Sequence, residues 1–324
     1  MPELNVNAAR ILLLLTAVAT SATAQTYPAK PVRVIVAFAP GGTTDILGRI
    51  YSQRLSAATG QQFVVDNRAG AGGTIGTEAV VRAAPDGYTI NFGSTSSLAV
   101  SPNLYPKLPY ELMRDVAPVI QVATAAFMLA VHPSVPARTM RELIALARAR
   151  PGQLNYASSG SGSSLHLCGE YLKYLAKIDL VHVPYKGAGA ALPDLIAGQV
   201  QILFSDMAPF VPYVQTGRLR VLAASTATRS RVYPEYPTIA ESGVPGYDLA
   251  GWYGVVVPAA TPRPIVDRLH AEFGKAMRAS DMGERYATLG VEAVESTPEQ
   301  FAAYMRAELA KWGDIIKRSG TKLE

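Results

Sequence analysis

Residues 32–45, VRVIVAFAPGGTTD, decide the fold of this chain. Residues 32–38 are apolar and rich in β-branched side chains, and Pro31 and Pro40 bound them, so they predict a short buried strand. Apolar residues resume at helical spacing from Ile46. A strand, a tight turn and a helix therefore follow one another, which is the repeating unit of an α/β sheet.

The turn between this strand and this helix has the features of an anion-binding site. Gly41 and Gly42 allow backbone N–H groups to approach a ligand closely, and Thr43, Thr44 or Asp45 is expected to cap the helix. The N-terminus of a helix favours negative charge. The same residues also fit an ordinary strand-to-helix turn that binds nothing.

The composition is that of a globular protein with room for two domains. The chain has 324 residues, of which 49% are hydrophobic and 17% charged. Thirty Lys and Arg residues against 25 Asp and Glu residues give a net charge of +5 without basic clusters. This pattern argues against nucleic-acid binding and is compatible with a small anionic ligand.

Residues 1–24 are predicted to be a cleaved secretory signal peptide. Arg10 precedes an apolar run at residues 11–19, and the small residues 22–24 suit signal peptidase. The run is too short for a stable membrane anchor. We therefore expect the mature protein to begin at Gln25 and to be exported to the periplasm.

Three strand–loop–helix units in the first part of the chain predict a parallel sheet with right-handed crossovers. Their strands are expected at residues 32–38, 62–66 and 88–92. The third strand leads into a small polar loop that contains Ser94 and Thr95. Ligands of such sheets collect outside the carboxyl ends of the strands, so this loop is a further candidate.

The pattern then restarts, which predicts a second α/β half. A strand at residues 154–157 leads into the small polar loop 158–164 and a helix, so this loop is the second anion-binding candidate. We expect residues 25–123 and 246–324 to form domain 1 and residues 124–245 to form domain 2. The chain would cross between the domains twice, and a ligand cleft would lie between them.

Motifs for metal or nucleotide chemistry are missing from the sequence. The four histidines have no ligand spacing with Cys or carboxylates, and neither a Walker A motif nor a complete dinucleotide motif occurs. Cys168 is the only cysteine, so no intramolecular disulfide can form, and a small buried residue is the preferred interpretation. We predict no cofactor and no metal.

An alternative function is an exported hydrolase or transferase that uses Ser163 as nucleophile and His166 as base. A histidine that caps its own loop is the preferred interpretation of His166. Asp45 and Asp206 could be paired acids, but a helix cap for Asp45 and a polar strand end for Asp206 are preferred. Loops rich in Gly, Ser and Thr suit binding better than catalysis.

Several motifs together resemble one protein family over essentially all of the mature chain. They are residues 39–45 (APGGTTD), 66–73 (DNRAGAGG), 85–89 (PDGYT), 160–163 (GSGS), 183–187 (VPYKG) and 245–247 (PGY). In this order they resemble the Bug (TctC-like) family of extracytoplasmic solute receptors. The sequence departs from the family pattern at Asp66, where Glu is usual, and at Ala69, where Pro is common. It also departs at residues 205–208 (SDMA), around Asp206, where a sequence like FDNL is usual.

This resemblance implies two α/β domains of the periplasmic binding protein type II kind, joined by a Venus-flytrap hinge. Family members bind small carboxylates such as di- and tricarboxylates, acidic amino acids or aromatic acids. Many serve tripartite tricarboxylate transporters. The implied partners are a small carboxylate and a two-component membrane permease or a sensor ectodomain, and we expect a monomer.

The resemblance also implies which residues bind the ligand. One ligand carboxylate is held by backbone groups of one loop from each domain, often with bridging waters. The matching positions are residues 38–43 and 159–163, with Asp206 near the ligand. The predicted ligand-binding residues are Phe38, Pro40, Gly41, Gly42, Thr43, Asp45, Ser94, Thr95, Ser159, Gly160, Ser161, Gly162, Ser163 and Asp206.

Overall fold

The computed structural model describes residues 27–323, so the predicted signal peptide lies outside the described residues. The strands in chain order are β1 (Val32–Val36), β2 (Phe63–Asn67), β3 (Thr89–Ser94), β4 (Val116–Ala126), β5 (Met128–Val131), β6 (Asn155–Ser158), β7 (Val181–Pro184), β8 (Ile202–Ser205), β9 (Arg220–Ala224), β10 (Ala250–Pro258) and β11 (Val291–Ala293).

The α-helices in chain order are α1 (Thr43–Thr59), α2 (Thr74–Val81), α3 (Ser101–Leu104), α4 (Leu112–Asp115), α5 (Met140–Ala149), α6 (Ser164–Ala176), α7 (Ala188–Ile196), α8 (Val211–Gln215), α9 (Arg263–Met277), α10 (Met282–Leu289) and α11 (Pro298–Ser319). A 3₁₀-helix at Ala71–Gly73 precedes α2, and a π-helix at Ser96–Val100 precedes α3. Within residues 27–323, none of these helices combines the length and the apolar character that a membrane span requires.

The strands form two sheets. The first has the order β11-β4-β10-β3-β1-β2 and the second the order β7-β6-β8-β5-β9. We call the six-stranded sheet with its helices the first half and the five-stranded sheet with its helices the second half. The predicted division at residue 123 falls inside β4, which stays in the first sheet as far as Ala126. The predicted domain limits, residues 25–123 with 246–324 and residues 124–245, remain a prediction.

The prediction of a parallel sheet is confirmed for the three strands on which it was based, but the first sheet as a whole is mixed. Strand β1 is parallel to β2 and β3, as the strand–loop–helix units predict. Strand β10 is antiparallel to both β3 and β4, and β11 is antiparallel to β4. The sheet is mixed because β10 inserts between β3 and β4 in the opposite direction, and the local sequence pattern does not predict this long-range pairing.

A continuous apolar core joins the two halves, and α11 closes it. Cys168 is fully buried in this core, as predicted. Phe301 packs edge-on against Trp252, with 5.6 Å between ring centroids. The Glu308 carboxylate accepts hydrogen bonds from the indole N–H groups of Trp252 and Trp312, both at 2.9 Å. Helix α11 is thereby fixed to β10, which contributes to the cavity described below.

Truncation of Phe301 tests this arrangement. The side chain is fully buried, so Phe301→Ala removes a large apolar group and leaves a cavity, which typically costs about 3–5 kcal/mol. Urea unfolding of the variant should show that loss in the free energy of unfolding. The control Val64→Ala changes a residue that is 52% exposed and should stay within about 0.5 kcal/mol. Equal losses in the two variants would contradict the packing.

Candidate functional site

A cavity of about 50 Å³ lies between the two halves, where loops at the strand ends meet. A water needs roughly 10–15 Å³ of such space, so several water-sized groups can enter. Among the described residues that line it, none is Lys, Arg or His. The lining residues are Phe38, Ala39, Gly42, Thr43, Thr44, Asp45, Ser94, Thr95, Ser96, Phe127, Ser159, Ser164, Leu165, Gly187, Ala188, Asp206, Gly251, Trp252 and Tyr253.

The predicted site residues separate into two groups in the structure. Those that line the cavity are Phe38, Gly42, Thr43, Asp45, Ser94, Thr95, Ser159 and Asp206. Those that do not line it are Pro40, Gly41, Gly160, Ser161, Gly162 and Ser163. Within residues 27–323, no cluster of three or more His, Cys, Asp or Glu side chains could hold a metal ion.

Helix α1 points an uncapped N-terminus at the cavity. Its N-cap is Gly42 in an extended conformation, and no side chain in the described part of the chain caps it. The prediction that Thr43, Thr44 or Asp45 caps α1 is therefore wrong. The first N–H groups of a helix have no acceptor within the helix, and the helix dipole adds positive potential there. The first backbone N–H groups of α1 therefore face the cavity as hydrogen-bond donors that no side-chain cap of the helix occupies.

Asp45 does not cap α1 because its carboxylate holds the preceding turn. It accepts the Gly41 N–H (3.1 Å), Arg49 Nε (3.0 Å) and Asn67 Nδ2 (2.9 Å). Asn67 Nδ2 also donates to the Phe38 carbonyl (3.0 Å). Burial would raise the pKa of Asp45, but these hydrogen bonds lower it below its ordinary value. The Gly41 N–H is occupied in this way and faces no ligand.

Helix α7 of the second half presents another uncapped N-terminus to the same cavity. Its N-cap is Gly187, and among residues 27–323 no side chain caps it. Both Gly187 and Ala188 line the cavity. Sequence reasoning did not place them in the site, although the small-residue loop 186–189 ahead of a helix resembles the Pro-Gly-Gly turn of the first half.

The loop before α6 contacts the first half more than it contacts the cavity. Tyr105 donates its hydroxyl to the Ser161 carbonyl (3.0 Å), and Ser101 donates to the Gly162 carbonyl (2.9 Å). The Ser164 N–H donates to Ser96 Oγ (2.9 Å). These contacts explain why residues 160–163 do not line the cavity. Their backbone groups hold the two halves together.

The geometry does not support a serine nucleophile at Ser163. Its fully buried hydroxyl oxygen accepts the backbone N–H of His166 (3.2 Å) and so caps α6. The imidazole Nδ1 of His166 accepts the Gly162 N–H (3.2 Å), so the histidine caps its own loop, as the preferred interpretation predicts. Its ring stacks on His182 at 4.0 Å, and His182 Nε2 pairs with Ser158 Oγ at 2.7 Å.

Two buried oxygen atoms face the cavity from opposite halves. Among residues 27–323, the Thr43 hydroxyl and Oδ1 of Asp206 make no hydrogen bond of ordinary geometry, although Thr43 lies close enough to the Asp206 carboxyl to lower its pKa. Their residues are only 3% and 7% exposed. The other oxygen of Asp206 accepts the Tyr253 hydroxyl, which joins the second half to β10. Burial raises the pKa of Asp206, although the Tyr253 hydrogen bond and the nearby Thr43 hydroxyl oppose this effect. Unpaired buried oxygens are costly, so a ligand or water is expected there.

The histidine pair gives a pH prediction. Burial lowers the pKa of His166 to about 4, and burial together with His166 lowers that of His182 to about 3. Both pKa values are lower than the value of about 6.5 in an unfolded chain, so the unfolded state takes up protons first as the pH falls. The neutral histidine pair therefore contributes its full share to the free energy of unfolding above pH 6.5, and this share is lost as the pH falls towards 4.

An NMR titration of the imidazole signals measures this directly. In the native protein both rings should titrate below about pH 5, and in concentrated urea near 6.5. A native midpoint above pH 6 for His166 would contradict the burial of the pair and its role as acceptor for Gly162.

Comparison with known proteins agrees with this architecture. Residues 47–321 match the model of the family described as "Tripartite tricarboxylate transporter family receptor" (TctC). The chain is similar to Protein BugT of Bordetella pertussis, with 35% identity over 315 residues, 97% of each protein.

Two solved structures are also similar, and both hold carboxylates. Rpa4515 of R. palustris, solved with adipate, is 35% identical with a TM-score of 0.87, and the match covers 91% of this chain and 98% of that one. MatC (Rpa3494) of Rhodopseudomonas palustris, with bound malate, is 31% identical with a TM-score of 0.85, and covers 90% and 100%. The two-sheet α/β architecture is that of a periplasmic binding protein. This chain belongs to the TctC family of tripartite tricarboxylate transporter receptors, to which the Bug proteins are related, and it is a receptor rather than an enzyme.

Proposed function

We propose that this protein is a periplasmic receptor that captures a small carboxylate in the cavity between its halves, after removal of residues 1–24. One observation carries the proposal. Two uncapped helix N-termini, α1 from the first half and α7 from the second, face one cavity with no basic side chain in its described lining. The adipate and malate bound to the two similar structures support the ligand class.

The carboxylate oxygens would accept hydrogen bonds from the first backbone N–H groups of α1 and α7, with both helix dipoles adding to the attraction. A single negative charge suits this site better than a phosphate dianion. Asp45 and Asp206 already bring acidic groups to the lining, and only Asp45 has an arginine, Arg49, beside it.

The unpaired oxygens would bind the remaining polar groups of the ligand. The Thr43 hydroxyl can donate to the carboxylate, and Asp206 Oδ1 can accept from a ligand hydroxyl, a ligand ammonium or a bridging water. Ser94, Thr95 and Ser159 add hydroxyl groups to the lining. Which acid fits depends on these groups, since backbone N–H donors recognise the carboxylate alone.

Ligand binding would favour the closed arrangement of the halves. A carboxylate that bridges α1 and α7 interacts better with the closed form than with an open one, so it shifts the population towards closure. A membrane partner would then recognise the closed monomer. The family suggests the permease of a tripartite transporter as this partner, and a sensor ectodomain is the alternative.

A thermal-shift screen of residues 25–324, refolded to remove carried-over ligand, tests the ligand class. The panel holds mono-, di- and tricarboxylates, acidic amino acids and aromatic acids. A ligand at 100 times its Kd stabilises the fold by about 2.7 kcal/mol. We expect at least one acid to raise Tm while its ester and amide do not. Equal shifts with acid and ester, or a silent panel, would contradict carboxylate capture.

A pair of matched variants tests the site. Thr43→Val removes an unpaired buried hydroxyl from the cavity, and Thr261→Val makes the same change at an unpaired buried hydroxyl outside it. A hydrogen bond to a charged group contributes about 1.5–3 kcal/mol, so Thr43→Val should weaken binding roughly tenfold or more. Calorimetry should find Thr261→Val unchanged. Similar affinities for the two variants would remove Thr43 from the site.

A further inference from the structure

The two halves touch at a seam beside the cavity, formed by residues 39–42 after β1 and residues 186–189 at the start of α7. The Ala39 N–H donates to the Lys186 carbonyl across this seam at 3.1 Å. Both segments also contribute to the lining of the cavity, through Ala39 and Gly42 on one side and Gly187 and Ala188 on the other. The seam therefore determines how closely the two uncapped helix ends approach each other.

Gly189 is the tightest point of the seam. A Cβ atom on it would lie 2.9 Å from the Pro40 carbonyl oxygen, 3.1 Å from the Gly41 carbonyl carbon and 3.2 Å from the Gly42 nitrogen. All three are backbone atoms of the opposite half, so no side chain can rotate away to make room. A real side chain at this position would have to push the turn or the half apart.

The local conformation of α7 gives no reason for a glycine at this position. Gly189 is the second residue of the helix, and its φ is not in the left-handed region that favours glycine. Alanine in a helix interior is more favourable than glycine by roughly 0.5–1 kcal/mol. The absence of a side chain is therefore explained by the opposite half and not by α7.

The opposing turn cannot easily move to accommodate a side chain. Asp45 holds it through the Gly41 N–H, and Asn67 holds it through the Phe38 carbonyl. Arg49 in turn donates to both Asp45 and Asn67. A displacement of residues 40–42 would break this partly buried network, so separation of the two halves is the easier response.

We propose that Gly189 is a positioning residue that sets the closest approach of the two halves, and through it the affinity for ligand. It lies outside the cavity lining and acts by permitting closure. The effect of Gly189 on affinity rests on the proposed carboxylate binding, whereas its effect on how closely the two halves approach does not depend on the ligand.

The test compares Gly189→Ala and Gly189→Val with the control Gly283→Ala. Gly283 is likewise the second residue of its helix, α10, and a Cβ there meets no atom within 4 Å. Gly283→Ala should fold with Tm equal to or above that of the mature chain, and Gly189→Ala should still fold because the two halves can separate. Calorimetry with malate and adipate should find Kd about tenfold weaker or more for Gly189→Val, intermediate for Gly189→Ala and unchanged for Gly283→Ala. Unchanged Kd in both Gly189 variants would overturn the proposal.

A distance measurement keeps the two claims separate. Spin labels at Val64→Cys and Val181→Cys lie on exposed positions of the edge strands β2 and β7, while Cys168 is fully buried. Double electron–electron resonance should find the shortest distances of the parent missing from Gly189→Val, both in the small closed population without acid and in the larger one with acid. Identical distances would overturn the proposal. If neither acid binds the parent protein, carboxylate capture fails for these probes, and the distances alone decide the role of Gly189.

Discussion

The hydrogen bonds of Asp45 fix the turn after β1, and the geometry of the cavity depends on that turn. The carboxylate binds the Gly41 N–H, Arg49 and Asn67 instead of the N–H groups of its own helix. Had Asp45 capped α1, its negative charge would occupy the donors that face the cavity. The ion pair with Arg49 also compensates the charge of an acid that is almost fully buried beside an anion site.

The second half supplies a similar donor surface from different residues. Gly187 opens α7 without a side-chain cap, while the superficially similar loop before α6 is held by Ser101 and Tyr105. One small-residue loop of the second half thus faces the cavity and the other joins the halves. Backbone donors impose little preference on the rest of a ligand, so the hydroxyl and carboxyl groups of the lining are the natural source of selectivity.

The local features of the site could be predicted from sequence because they depend on neighbouring residues. The strand predicted at residues 32–38, which forms at Val32–Val36, the glycine turn and the start of α1 follow from apolar runs and turn residues a few positions apart. The histidine that caps its own loop is equally local, since Gly162 and His166 are four residues apart.

Features that depend on distant contacts could not be predicted. The loop at residues 160–163 is withdrawn from the cavity by Ser101 and Tyr105, more than fifty residues away. Trp252 and Tyr253 line the cavity. Their strand, β10, has an apolar sequence like that of any buried core strand, so the sequence does not indicate a role in the site. The antiparallel placement of that strand likewise depends on pairing with strands more than a hundred residues earlier in the chain.

The most direct test of the central claim is the response of the backbone amides themselves. In ¹⁵N-labelled mature protein, addition of malate or adipate should move the amide proton signals of residues 43–45 and of Ala188 downfield, because those groups would donate to the carboxylate. The Gly41 amide, already bound to Asp45, should move little. Binding that leaves the amides of residues 43–45 and Ala188 unchanged, and instead shifts arginine or lysine side-chain signals, would contradict capture by the helix N-termini.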